Sequence, residues 1–132
     1  MTKTNLFLIG AAKAGTTALA EMLGNHSEIS PLAIKEPGHF CDDIYAEGFS
    51  AGYQKMLRWD EAQYFHAGAL DGRHMAFVQG RENYERLVAA AEEASYILDA
   101  STAYLPSVNA AVNIADYNSE AKIIVSLRNP ST

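Results

Sequence analysis

Apolar residues in this chain fall into short unbroken runs separated by longer stretches with i,i+4 spacing. The run Leu6-Phe7-Leu8-Ile9, within Asn5 to Ile9, has no polar alternation, the mark of a central strand in a parallel sheet. Gly10 to Gly15 is rich in glycine and small residues. A helix is predicted from Thr16 to Leu23, where Ala18/Met22 and Leu19/Leu23 repeat at i,i+4 and Gly24-Asn25 supplies a stop. Pro31 to Ile34, running into Lys35-Glu36-Pro37-Gly38, predicts a short strand ending at a turn. A helix is expected near Ala51 to Leu57, with irregular structure from there to Gly80. Asn83 to Ala94 predicts a helix with Leu87, Val88 and Ala91 inward, leading into a strand at Tyr96-Ile97-Leu98. Pro106 suits the first turn of another helix through Tyr117, with Val108, Ala111, Val112 and Ala115 on its inner face. Lys122 to Leu127 is the last strand. This alternation predicts an α/β fold of three layers, a central parallel sheet flanked by helices, with phosphate-binding loops at the strand ends.

Composition narrows the class. The 132 residues, 48% of them hydrophobic, fit a single domain over 1–132. A formal charge of −6 argues against nucleic acid and anionic membranes as partners, which reward an excess of Lys and Arg on one face, so an anionic ligand must be held locally. Cys41 is the only cysteine, which excludes an internal disulfide and points to a reducing, cytoplasmic compartment. The run Leu6 to Ile9 is too short for a signal-peptide core or a membrane span. Because the sequence stops just after the final strand, where a parallel sheet places its functional loops, the fold is expected to be incomplete at its C-terminus. The exposed sheet edge would then favour self-association.

Gly10-Ala11-Ala12-Lys13-Ala14-Gly15-Thr16-Thr17 carries the candidate chemistry. It has the G-x-x-x-x-G spacing of a P-loop, but Thr16 stands where an ATP- or GTP-binding loop needs lysine, and the lysine lies inside the loop at Lys13. Successive amides in such a turn, here those of Ala12, Lys13, Ala14 and Gly15, combine with the N-terminus of the next helix to make an anion cradle, and Thr16 and Thr17 add hydroxyl donors. A unit charge about 4 Å from Lys13 interacts by roughly 4 kcal/mol at an effective dielectric near 20, enough for local charge to outweigh the acidic whole. An ordinary strand-to-helix turn with incidental glycines is the alternative; a strand before, a helix after and two threonines weigh against it.

The segment Leu8 to Leu19 resembles the 5′-phosphosulfate loop of sulfotransferases that use 3′-phosphoadenosine-5′-phosphosulfate (PAPS), especially the bacterial and heparan-sulfate-type branch, and Leu23-Gly24-Asn25-His26 fits the same branch. The resemblance implies that Lys13 contacts the phosphosulfate and assists departure of the nucleotide, while Gly15, Thr16 and Thr17 bind the 5′-phosphate. Lys35-Glu36-Pro37-Gly38-His39-Phe40 is similar to a K-E-P-H-F-F-like segment whose glutamate is the general base, which nominates Glu36, with Gly38 as an insertion before His39. Leu98 to Leu105 resembles an E-K-T-P-A-Y-F segment; some members carry a second catalytic lysine where this chain has Ala100, which leaves charge stabilisation to Lys13 and His39 and argues against a heparan-type acceptor. Asp99 and Ser101 would line the acceptor cleft, unless Ser101 or Thr102 simply caps the following helix. Ile123 to Pro130 is similar to L-L-I-L-R-D-P, whose arginine binds the 3′-phosphate, a role that falls to Arg128.

The implied reaction is sulfuryl transfer from PAPS to a hydroxyl or amine of a carbohydrate or small molecule, releasing 3′-phosphoadenosine 5′-phosphate (PAP), with no metal. His26, His39, His66 and His74 show no zinc spacing, and Cys41 has no base evident beside it. Tyr53, Trp59, Tyr64 and Phe65 read as core or as a wall of the acceptor pocket. A P-loop nucleoside or nucleotide kinase and a non-catalytic PAP-binding fragment are the competing readings.

Overall fold

The computed structural model describes residues 2–44, 51, 59–66, 70, 72–74 and 76–129. Its strands are β1 (Leu6–Leu8), β2 (Ile29–Pro31), β3 (Ile34–Lys35), β4 (Arg73–His74), β5 (Tyr96–Ala100) and β6 (Lys122–Ile124). The helices are α1 (Thr16–Gly24), α2 (Glu61–His66), α3 (Arg81–Ala89) and α4 (Ala110–Tyr117), and a 3-10 turn covers Thr102–Tyr104. The helix expected near 51–57 lies, apart from the helical Ala51, outside the described residues.

Four strands form one parallel sheet in the order β2-β5-β1-β6. Leu6, Phe7 and Leu8 stand opposite Leu98, Asp99 and Ala100 on one side and Lys122, Ile123 and Ile124 on the other. Side chains alternate across a strand, so Leu6, Leu8, Leu98 and Ala100 share one face, where Leu19, Ala20 and Leu23 of α1 cover them. Phe7 and Ile97 point to the opposite face and join Phe40, Tyr84, Leu87, Val88, Tyr104 and Ile114 in the larger core beneath α3 and α4. Helix, sheet and helix layers result, the architecture expected. β3 and β4 pair in a separate two-stranded parallel ribbon.

The expected strand at Pro31 to Ile34 is two short strands, because Leu32 and Glu36 turn their amides to the carbonyls of Leu98 and Ala100 at 3.0 and 2.8 Å, carrying the chain along β5. α3 begins earlier than expected and ends at Ala89. α4 begins at Ala110, not at Pro106, and buries Ala110 and Ile114 while Val108 and Val112 stand exposed at 83% and 62%. The expected inner face of that helix was thus the wrong one. Its residues offer two apolar stripes, and the one that meets the aromatic core is buried. The same choice operates on α1, where Leu19 and Leu23 pack on the sheet and Met22 is exposed. α2 and β4 lie in the stretch read as irregular.

Candidate functional site

The loop between β1 and α1 is held from below by β6. The Ala11 amide donates to the Ser126 carbonyl at 2.7 Å, the Ser126 amide donates to the Gly10 carbonyl at 2.8 Å, and the Ser126 hydroxyl donates to the Ala14 carbonyl at 2.8 Å. The backbone turns at two left-handed residues, Lys13 (φ 61°) and Gly15 (φ 79°). A Cβ on Gly15 would meet nothing within 4 Å, so glycine stands there for conformation and the space above it is open.

Among the described residues, the amides of Ala12, Lys13, Gly15, Thr16 and Thr17 have no intramolecular acceptor. No side chain caps α1, and its first turn holds no carboxylate. Unpaired amides at a helix N-terminus carry a partial positive charge, which makes the loop electrostatically favourable to negative charge. Lys13, within the loop, is exposed. Thr16 is buried at the helix start, whereas the Thr17 hydroxyl is exposed and accepts a hydrogen bond of 2.8 Å from Lys35 Nζ. Arg128 lies two residues beyond Ser126, exposed, in the segment that follows β6.

Glu36 sits where β3 leaves β5, in the left-handed region at φ 64°. A non-glycine residue is held there only if its surroundings insist. Its amide donates to the Ala100 carbonyl, its carbonyl accepts from the Ala76 amide at 3.3 Å, and its carboxylate accepts from the Thr102 amide (2.9 Å) and hydroxyl (3.1 Å). The carboxylate is therefore fixed by β5's exit turn, with acceptor capacity to spare.

Behind that turn lies a buried polar network. Asp99 is fully buried; its Oδ1 accepts from the Ser101 hydroxyl at 2.7 Å and its Oδ2 from the hydroxyls of Tyr84 and Tyr104, both at 2.8 Å. Ser101 Oγ accepts from the Gly38 amide and Tyr104 Oη from the His39 amide, each at 3.1 Å. Burial pushes the Asp99 carboxyl up to about 6, against the opposing pull of its three hydroxyl donors, and pushes both tyrosines well above their ordinary value. Asp99 and Ser101 therefore do not line a cleft as expected: they pin the turn that follows Glu36. Neither Ser101 nor Thr102 caps a helix with its side chain, since Thr102 spends its hydroxyl on Glu36.

His39 also differs from expectation. Its ring stacks on Tyr84 with centroids 4.5 Å apart, meets Phe40 edge-on, and its Nδ1 hydrogen-bonds the Val78 carbonyl at 2.8 Å. Burial lowers its pKa, which favours the neutral ring with the proton on Nδ1. It lines a cavity with Asp42, Gln79, Arg81, Asn113 and Asp116, none of them a loop residue. The structure thus gives His39 to the scaffold and does not bring it to the loop. Gly38, just before His39, adopts φ 52°, and Phe40, just after it, is buried in the core. Cys41 is buried there too, its thiol pushed up to about 12 by burial.

Three contributors escaped the sequence reading: Lys35, Thr102 and Ser126. Each lay inside a quoted segment, but their contacts cross from one strand end to another, and only the strand order makes those ends neighbours. Among the described residues, no group of His, Cys, Asp and Glu is arranged to hold a metal ion, and no helix is long and apolar enough to cross a membrane.

Comparison with known proteins adds an independent line. The family model described as "Sulfotransferase family" matches residues 5–132. Among solved structures, the crystal structure of a sulfotransferase from Alicyclobacillus acidocaldarius superposes with a TM-score of 0.69 at 25% identity, covering 95% of this chain. The chain spans 44% of that protein's length. No curated protein matches it.

Proposed function

We propose, on the premise that the chain belongs to the sulfotransferase family, that it transfers a sulfuryl group from PAPS to a hydroxyl, or an amine, of a carbohydrate or small-molecule acceptor and leaves PAP. The observation that carries the reading is the β1–α1 cradle, with five amides free of acceptors, no carboxylate in the helix's first turn and Lys13 within the loop. Those features fit a 5′-phosphosulfate. Family membership sets the kinase reading aside.

In this reading the loop amides and Thr16 and Thr17 hold the 5′-phosphate end, and Arg128 engages the 3′-phosphate through its guanidinium fork. Glu36 accepts the proton of the acceptor hydroxyl as that oxygen bonds to sulfur. The bond between sulfur and the bridging oxygen breaks, its electron pair leaves on the 5′-phosphate of PAP, and Lys13 offsets the charge that develops there. Thr102 keeps the Glu36 carboxylate aimed, and His39, with Asp99, Ser101 and Tyr104, supports the turn. Catalysis rests on positioning and electrostatics, with no resident metal invoked.

Calorimetric titration of PAP, AMP and Mg-ATP tests this. The expected result is selective PAP binding, indifferent to Mg²⁺ and weakened about tenfold or more by either Lys13→Ala or Arg128→Ala, the loss that follows from removing one charge-assisted contact. Preference for Mg-ATP, or the same affinity for AMP as for PAP, would overturn it. PAP binding without turnover of PAPS would identify a non-catalytic binding module.

A further inference from the structure

Lys35 holds a specific position beside the loop. It is the last residue of β3, half-buried, and its ammonium reaches across to the first turn of α1, where it donates to Thr17 Oγ1 at 2.8 Å. One donor of the three on an ammonium is used in this contact, and two are free. Among the described residues no carboxylate lies within ion-pairing distance of Lys35, the only ion pair being Arg81 with Glu85 on α3. A half-buried lysine held against a helix N-terminus, where the partial charge is already positive, is unfavourable in isolation. An anion held by the neighbouring loop amides would offset that cost.

The topology says which part of that anion. In the strand order β2-β5-β1-β6, the cradle stands on β1, Arg128 follows β6, and Lys35 arrives from the β5 side, where Glu36 donates its amide to the Ala100 carbonyl. Lys35 therefore reaches the loop from the β5 side of β1, and β6, whose chain continues to Arg128, pairs with β1 on the other side. Along the strand Lys35 immediately precedes Glu36, and the two side chains diverge, the ammonium to Thr17 and the carboxylate to Thr102. Ala100 brings no charge to this side, and it shares with Lys35 the lining of a cavity of about 420 Å³ beside α1.

Resting on the PAPS reading above, the geometry points to Lys35 as a second donor-binding cation, which contacts the sulfuryl end of the phosphosulfate from the β5 side of the loop. Thr17 is its rest position. With its oxygen already accepting from Lys35, the Thr17 hydroxyl has its own proton free for a ligand oxygen. Lys13 and Lys35 then divide the work: Lys13 meets the bridging oxygen on the leaving phosphate, and Lys35 meets the outer oxygens of the group being transferred.

The test is titration of PAP and PAPS separately into the unaltered chain and into Lys35→Met and Lys35→Arg. The two ligands differ by the sulfuryl group alone. Lys35→Met is expected to weaken PAPS about tenfold while changing PAP less than about twofold, and Lys35→Arg to recover most of the loss. Equal weakening of both ligands, or of neither, overturns the placement of Lys35 at the sulfuryl end while leaving the PAP-binding reading intact. A chain that binds no PAP at all overturns both. Thermal unfolding of each variant accompanies the titration, and Lys35→Gln replaces Lys35→Met in the comparison should the latter lose its cooperative transition.

Discussion

The Asp99 carboxylate offers the sharpest test of how the site is held. It is fully buried, carries three hydroxyl donors, and has a carboxyl raised to about 6 from an ordinary 3.8, chiefly by desolvation. A folded-state pKa above the unfolded one means that the fold binds the proton more tightly, so this group's contribution to stability is largest below the unfolded pKa and is lost as pH rises through the folded value. A difference of about two units is worth about 3 kcal/mol in the limit, of which about 2 kcal/mol accumulates between pH 4.5 and 7.5. Asp99→Asn removes the titration and keeps the shape. It also sets an amide against hydroxyls that now donate, which costs about 1–3 kcal/mol for the donor left unpaired. Relative to the unaltered chain the variant should therefore lose more stability at pH 4.5 than at pH 7.5, with the two losses about 2 kcal/mol apart. Urea unfolding of both proteins at both pH values reads this directly, provided the m-values agree. Equal losses at the two pH values, or a larger loss at pH 7.5, would refute the claim that burial of the charge dominates the Asp99 site.

Other expectations follow from single contacts. Gly38→Ala should be far more damaging than Gly15→Ala, because a Cβ at Gly38 comes within 2.5 Å of Phe77 Cδ1 at φ 52°, whereas at Gly15 it meets only open space and the penalty is the left-handed backbone alone, about 1 kcal/mol; comparing unfolding midpoints decides it. Cys41, with its buried thiol raised to about 12, should resist alkylation by iodoacetamide at pH 8 in the native chain and react only in denaturant; rapid native labelling would contradict its placement. Thr102→Val removes the hydroxyl that Glu36 Oε2 accepts at 3.1 Å and leaves the amide bond in place, so on the proposed sulfuryl-transfer reading kcat should fall about tenfold with PAP affinity unchanged; a parallel loss of PAP affinity would count against the proposed role of Glu36 and for one of Thr102 in the cradle.

Periodicity and composition alone determined much of this molecule. The unbroken run at Leu6 to Leu8, the glycine spacing from Gly10 to Gly15 and the alternation of strand and helix sufficed for an α/β fold with a tight loop after β1, because those features are local: a buried parallel strand must be apolar throughout, and glycine eases a turn where φ is positive, as at Gly15. Tertiary structure alone decided which face of α4 is buried, since Ala111, Val112 and Ala115 offer an apolar stripe as Ala110 and Ile114 do, and only the latter meets the aromatic core. It also stacked His39 on Tyr84 and buried Asp99, because burial and stacking depend on which neighbours the fold brings up and not on residue type. Lys35, Thr102 and Ser126 act across strand ends distant in sequence, and the strand order β2-β5-β1-β6 is what makes those ends adjacent.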